Sequence, residues 1–257
     1  MRVSAPIVRQ PDLEQALRAV GLAAGDVVLA HSSLSAFGWV EGGADTVLDA
    51  LLSVLGPQGT LVLPTFTWGA YHNDDERLFD VAETPCETGR IPETFRRRPG
   101  VVRGEHRCHS MAACGPHAAE ALGDGVRSFG EGSPFDALYR LDAWNLLLGV
   151  TFQSCTALHA AEEREQVPYR AYRSYPRAQV RLADGSVVPS RAVEFLRQDG
   201  SGNDFAKVED LFAAEGLLRC ANVGRGRIIN ARTREVIDRA RRMLREDVGA
   251  LSTRRRP

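Results

Sequence analysis

The residues from Leu146 to Glu162, LLLGVTFQSCTALHAAE, run an apolar strand into a glycine turn and then present Ser154, Cys155, Thr156, His159 and Glu162 within about two helical turns. Hydroxyls, a thiol, an imidazole and a carboxylate at one strand exit are the parts of proton-transfer or acyl-transfer chemistry. With a helix beginning near Cys155 or Thr156, His159 and Glu162 share one face at i and i+3, and Thr156 lies three residues before the histidine. The unreactive alternative is that Ser154 or Thr156 caps the helix, His159 is a satisfied polar group and Glu162 is solvated. Cys155 and His159, at i and i+4, also admit a Cys/His hydrolase, although that spacing alone does not impose the geometry between nucleophile and base. A third reading is a non-catalytic domain whose polar groups hold a ligand without transferring anything.

Positioning such groups calls for a sheet. Leu13–Val20 reads as a short helix ended by Gly21, and Asp26–Ala30 as a buried strand running into His31-Ser32-Ser33. Ala44–Leu55 has helical spacing and Thr60–Phe66 is a second strand, which together form a strand–helix–strand unit of right-handed crossover size. Both strands then exit at the same sheet edge, so His31-Ser32-Ser33 and Thr65 to Trp68 face one crevice. Residues 69–107 are polar and rich in Pro, Gly and Arg, with only IPETFRR helix-like; an insertion of this length serves as a lid or binding wall. Beyond it, Ser110–Ala113 and Trp144–Leu148 read as strands, and Pro116–Leu122 and Phe135–Arg140 as short helices. Tyr169–Val188 reads as a hairpin around Asp184-Gly185, antiparallel to whatever it joins. Phe205–Glu215 is a helix, Arg227–Asn230 an edge strand, and Thr233–Arg245 a last helix with an apolar side.

The expected organisation is a single α/β domain over 1–250 with a mixed, mostly parallel sheet and flanking helices, followed by a basic tail at 251–257. A hydrophobic fraction of 44%, a charged fraction of 25% and a net charge of -1 are globular values without a nucleic-acid footprint. Five scattered cysteines fit reduced thiols of a cytoplasmic protein, and no signal core or apolar run of about 18 residues points to secretion or a membrane. The glycines of Val223-Gly224-Arg225-Gly226-Arg227 lack the preceding strand and following unit of a dinucleotide site. Lys207 is the sole lysine and no Gly-Lys-Ser/Thr element occurs, which removes a Walker-type site. His106-Arg107-Cys108-His109, with Cys114 and His117 downstream, has metal-binding residue types without paired ligand spacing, so no metal is expected.

At these residues the chain also resembles the aminoglycoside 3-N-acetyltransferase family. The likeness runs through DVVLAHSSLSAFGWVEGGADTVLDALLSVLGPQGTLVLPTFTW, TGRIPETFRRRPGVVRGEH, EGSPFDALYRLD, LLLGVTFQSCTALHAAE and VEFLRQDGSGNDF, in that order. It implies the family's mixed-sheet fold, acetyl-coenzyme A as acyl donor and a small-molecule amine as acceptor, in a monomer or homodimer. It further implies His159 as general base, Asp199 as the carboxylate orienting it, with Glu162 or Glu194 next in line, and Thr156 as a source of oxyanion donors. His31, Ser32, Ser33 and Ser110 resemble its coenzyme A contacts. Asp74, Asp75 and Glu162 are the candidate carboxylates for a cationic acceptor.

The assigned roles suit the chemistry. A primary amine is protonated near neutral pH and attacks a thioester only after a base has taken its proton. A carboxylate on the remote ring nitrogen fixes the tautomer and favours the imidazolium as it forms. Departures from the family pattern GVGxDxNTxxHxAE are Thr151 for the second Gly, Gln153 for the Asp and Cys155 for the Asn; Arg107 replaces a Pro and Thr88 a Met. Loss of the carboxylate at 153 removes an anionic partner for a polycation, so acceptor specificity is expected to differ more than the transfer chemistry.

Overall fold

The computed structural model describes residues 6–71, 74 and 76–253, so Asp75 and the arginines of the expected basic tail lie outside the described residues. Its centre is a sheet of seven strands in the order Arg219–Val223, Gly226–Arg232, Trp144–Leu148, Val27–Ser32, Thr60–Pro64, Met111–Cys114, Val102–Arg103. Val27–Ser32 pairs in parallel with both Trp144–Leu148 and Thr60–Pro64, whereas the four outer pairings are antiparallel. Two reversals on the flanks restore direction, so five of the seven strands point the same way.

The central strands are mostly apolar because both faces are covered. Val28, Ala30, Leu61, Leu63, Leu146 and Leu148 pack on one side with the helices Gln10–Ala19 and Ala44–Leu55. Leu29, Val62 and Leu147 point the other way, into the core shared by Ala157–Arg164 and Thr233–Glu246. Period-two alternation therefore puts His31 on the face of Leu29, beneath the helix that carries His159. The strand–helix–strand unit forms as expected, and the later strand Trp144–Leu148 joins on its opposite side. That reversal of strand order opens a crevice at the ends marked by Ser32, Pro64 and Leu148.

The insertion at 69–107 contains the helix Arg90–Phe95 and two short strands, Phe79–Asp80 and Val102–Arg103. The Asp184-Gly185 hairpin is Gln179–Arg181 with Val187–Pro189, and it joins Phe79–Asp80 in parallel rather than antiparallel, because the insertion supplies its free edge. The first part of the expected hairpin, Arg170–Ser174, instead pairs with Val193–Arg197. Arg227–Asn230 lies within an interior strand; the edge strand on that side is Arg219–Val223, whose sequence RCANV lacks an alternating apolar pattern. A strand does precede Gly224, but another strand follows Gly226, so these glycines make a hairpin turn. Leu251–Thr253 is no free tail: Leu251 is buried and Ser252 bridges to Asn203. No helix among the described residues is long and apolar enough to cross a membrane.

The strand exit that delivers the reactive residues turns at Gly149, with φ of 69° and its amide bonded to Arg227 O at 2.9 Å. A Cβ there would meet Ala36 Cβ at 2.5 Å, in a backbone region costly to other residues. Gly149→Ala is expected to lower stability by roughly 1–3 kcal/mol, read as a lower urea midpoint at unchanged slope. An unchanged midpoint would show that this turn is not constrained.

Candidate active site

The helix Ala157–Arg164 packs its alanines closely against the sheet and the last helix, which holds His159 at the rim of a cavity of about 650 Å³. Glu162 follows one turn later and is completely buried. Its Oε2 lies 2.5 Å from His159 Nδ1. A carboxylate only accepts, so Nδ1 carries the proton and Nε2 is left as the basic nitrogen. Tyr169 Oη donates to Oε1 at 2.9 Å and Arg197 Nη2 at 3.1 Å. Arg170 Nε stands 2.9 Å from Oε2 but off the hydrogen-bond direction, which makes that contact an ion pair.

The imidazole is caged by Phe129 and Phe205, with ring centroids at 4.9 and 5.0 Å. Burial, helped by the neighbouring Arg170 cation, pushes His159 down to about 4 against the pull of Glu162. Burial would raise the Glu162 carboxyl, but His159, Arg170 and Arg197 outweigh it and hold the group at about 2. The dyad is thus a neutral imidazole on a fixed carboxylate, ready to accept a proton. In the same cavity His109 Nδ1 hydrogen-bonds Ser128 Oγ at 2.9 Å and stands 3.2 Å from buried Glu194 Oε1.

A second cavity, of about 250 Å³, opens at the strand exits between His31, Ser32, Pro64 and Thr156. It adjoins through Ser32 a groove of about 770 Å³ along Ser33, Trp39, Gly43 and Arg90. Thr156 Oγ1 is 3.3 Å from His31 Nε2, and burial pushes His31 down to about 3. Ser32 lies where the two spaces meet, and its Oγ is buried without a hydrogen-bond partner. Thr156 thus lines the strand-exit cavity and His159, three residues later, the larger one.

Of the residues named from sequence, His31, Ser32 and Thr156 line one cavity, Ser33 the adjoining groove and His159 the larger cavity. Ser110 is not: its hydroxyl is buried, bonded to Thr65 O at 2.8 Å and to Arg103 Nε at 3.1 Å, and it lines neither cavity. Asp199 is turned to Ser201, with Oδ1 taking its amide at 3.0 Å, and lies 3.8 Å from Arg197 Nη1. The carboxylate on His159 Nδ1 is that of Glu162, which is completely buried and not an exposed substrate contact. Asp74 caps its own loop through the amides of Glu76 and Arg77. Cys155 is a core thiol bonded to Asn145 and pushed up to about 12 by burial, which leaves no nucleophile for a Cys/His hydrolase. Among the described residues no group of three or more His, Cys, Asp or Glu could hold a metal ion.

Tyr169, Arg170, Arg197 and Phe129 went unread as site residues in the sequence, and His109 was considered there only as a metal-binding residue type. Arg170 and Arg197 reach Glu162 only because their strands pair antiparallel with Arg197 opposite Arg170, a juxtaposition absent from linear spacing.

Residues 29–245 match the family described as aminoglycoside 3-N-acetyltransferase. The chain is 32% identical to aminoglycoside N(3)-acetyltransferase VII of Streptomyces paromomycinus, covering 92% of this chain and 91% of that protein. Among solved structures, aminoglycoside acetyltransferase AAC(3)-Xa superimposes with a TM-score of 0.82 at 30% identity, covering 93% of each chain. The YokD protein of Bacillus subtilis does so with 0.81 at 28% identity, covering 96% of each.

The buried histidines generate a pH dependence. His31 and His106 are pushed down to about 3 and His159 to about 4, against 6.5 for an ordinary imidazole. Between pH 6.5 and about 4 the unfolded chain therefore binds protons at these rings that the fold refuses, so stability falls as pH falls. Denaturant midpoints should decrease steadily from pH 7.5 to pH 5, and histidine ring NMR should show His159 still neutral at pH 6. A His159 titration midpoint at or above 6.5 would contradict the desolvated site.

Proposed function

The chain belongs to the aminoglycoside 3-N-acetyltransferase family, and from that footing we propose that His159 and Glu162 carry out its coenzyme A-dependent acyl transfer to the primary amine of an aminoglycoside or related small molecule. The carrying observation is His159 on the larger cavity with Nδ1 committed to Glu162, three residues after Thr156, which lines the strand-exit cavity. The groove past Ser32, Ser33 and Trp39 suits the extended coenzyme A, its thioester end reaching Thr156. Its mixture of hydroxyls and backbone amides meets polar groups without a lysine.

In this reading His159 Nε2 takes a proton from the bound ammonium and releases it to solvent. The amine then attacks the thioester carbonyl: a C–N bond forms and the oxygen gains the electron pair of the carbonyl. The Thr156 hydroxyl is positioned to donate to that oxyanion. His159 receives the second amine proton and passes it to the sulfur as the C–S bond breaks, leaving amide and free thiol. Glu162 stabilises the imidazolium through each transfer. Asp199, expected to do this from the sequence, accepts from the amide and hydroxyl of Ser201.

Two substitutions test the assignment. His159→Ala should lower the chemical step roughly 10² to 10⁴-fold with coenzyme A affinity nearly intact. Glu162→Gln should lower kcat while Asp199→Asn stays near wild type, and histidine NMR should show the altered His159 tautomer only in the former. Loss of kcat in Asp199→Asn with normal turnover in Glu162→Gln would return the orienting role to Asp199. Cys155→Ser should keep thioester-dependent acylation; its abolition together with a trapped S-acyl adduct would overturn direct transfer.

A further inference from the structure

Two imidazoles line the larger cavity, those of His159 and His109, and both pack on Phe129 with ring centroids 4.9 Å from it. The acyl-transfer reading uses only the first. His109 is held from behind by a polar network that fixes which of its nitrogens carries the proton. His106 Nδ1 accepts the amides of Cys108 at 3.3 Å and His109 at 3.0 Å, and burial pushes the His106 ring down to about 3. That ring is therefore neutral with its proton on Nε2, which donates to Ser128 Oγ at 3.2 Å. The Ser128 hydroxyl has the Val193 carbonyl, which only accepts, 3.4 Å away.

His109 Nδ1 lies 2.9 Å from the same Oγ and 3.2 Å from buried Glu194 Oε1. A proton on Nδ1 suits both oxygens, whereas a hydroxyl donating to a bare Nδ1 would set that lone pair against a carboxylate oxygen. The neutral ring thus keeps its proton on Nδ1 and its lone pair on Nε2. Nε2 makes no hydrogen bond among the described residues, yet it is not one of the polar atoms closed in by the protein. The cavity is the space His109 lines, so this lone pair meets whatever fills it. Arg170 and Arg197 on the same wall can only donate, and the N–H and O–H groups of an amine-bearing molecule need lone pairs. We infer that His109 is a further substrate-contacting residue of this site, whose Nε2 accepts a hydrogen bond from the incoming molecule and aims its amine at His159. The inference rests on the acyl-transfer reading above and adds to it the residue that positions the acceptor.

Two variants and one spectrum test it. His109→Leu keeps apolar volume against Phe66 and Phe129 without a lone pair, and His109→Gln restores an oxygen that accepts. Acetyl transfer is measured on the aminoglycoside of highest turnover in a panel. His109→Leu should raise KM for it about tenfold, with KM for acetyl-coenzyme A unchanged and kcat lowered less. His109→Gln should recover part of that loss, and calorimetry in the His159→Ala background should rank the affinities in the same order. Histidine nitrogen NMR of the wild type should show His109 protonated on Nδ1, with its Nε2 resonance moving when the aminoglycoside is added without acetyl-coenzyme A. A proton on Nε2, an unmoved resonance at saturation, or equal KM losses and equal melting-temperature drops in both variants overturns the inference and leaves acyl transfer standing. Absence of thiol release with every amine, together with no binding of coenzyme A, removes both.

Discussion

One buried carboxylate sets the geometry of this site. Glu162 has no exposed surface, and taking such a charge out of water costs several kcal/mol unless its oxygens are fully engaged. The engagement comes from three separate places: His159 on the same helix, Tyr169 beyond it, and Arg170 and Arg197 on a paired two-stranded sheet. Each partner is thereby fixed by the need to neutralise the same group. The peripheral sheet, which shares no strand with the seven-stranded one, is tied to the helix at this point and forms a wall of the cavity beside His159.

The same arrangement settles how His159 is balanced. Desolvation by Phe129 and Phe205 and the adjacent Arg170 push it toward the neutral form, while Glu162 pulls toward imidazolium. Burial wins in the resting site, so the base is never already protonated near neutral pH. The carboxylate contributes most when charge develops on the ring, which is during transfer. A base depressed this far is intrinsically weak, so the positive surroundings that also weaken the ammonium are part of what makes the transfer feasible.

The central strands, the crossover unit and the reactive helix were legible in the sequence because apolar runs, glycine stops and i,i+3 spacing are local signals. His31 on the face of Leu29 follows from alternation alone. What the sequence concealed is long-range. Asp199 stands in a Gly-rich turn that hydrogen-bonds itself through Ser201, as Asx residues do, whereas Glu162 gains its role from arginines that strand pairing brings to it. Ser110 carries a reactive hydroxyl at a strand start, yet Arg103 and Thr65 from neighbouring strands consume it. Residue type announces chemistry; only the third dimension says which groups are already spent.

Gln153 shows how a single departure from a family pattern can change meaning once seen in place. Read as a lost aspartate, it removes a charge from the substrate. In the structure its amide spans a gap instead: Nε2 donates to Asn203 O at 2.9 Å while Oε1 accepts from the Phe205 amide at 3.2 Å. A carboxylate has no donor for the first of these bonds. The amide therefore clamps the turn Phe152–Ser154 to the loop that carries Phe205 against His159 and Asn203 toward Arg170 and Arg197. That loop is held from its other side by Leu251 and Thr253, through backbone bonds from Asp204 and to Gly202. A position that could have recognised a cation has become a fastener for the apolar cage and the arginine wall, which couples the base's low affinity for protons to the electrical character of the cavity it serves.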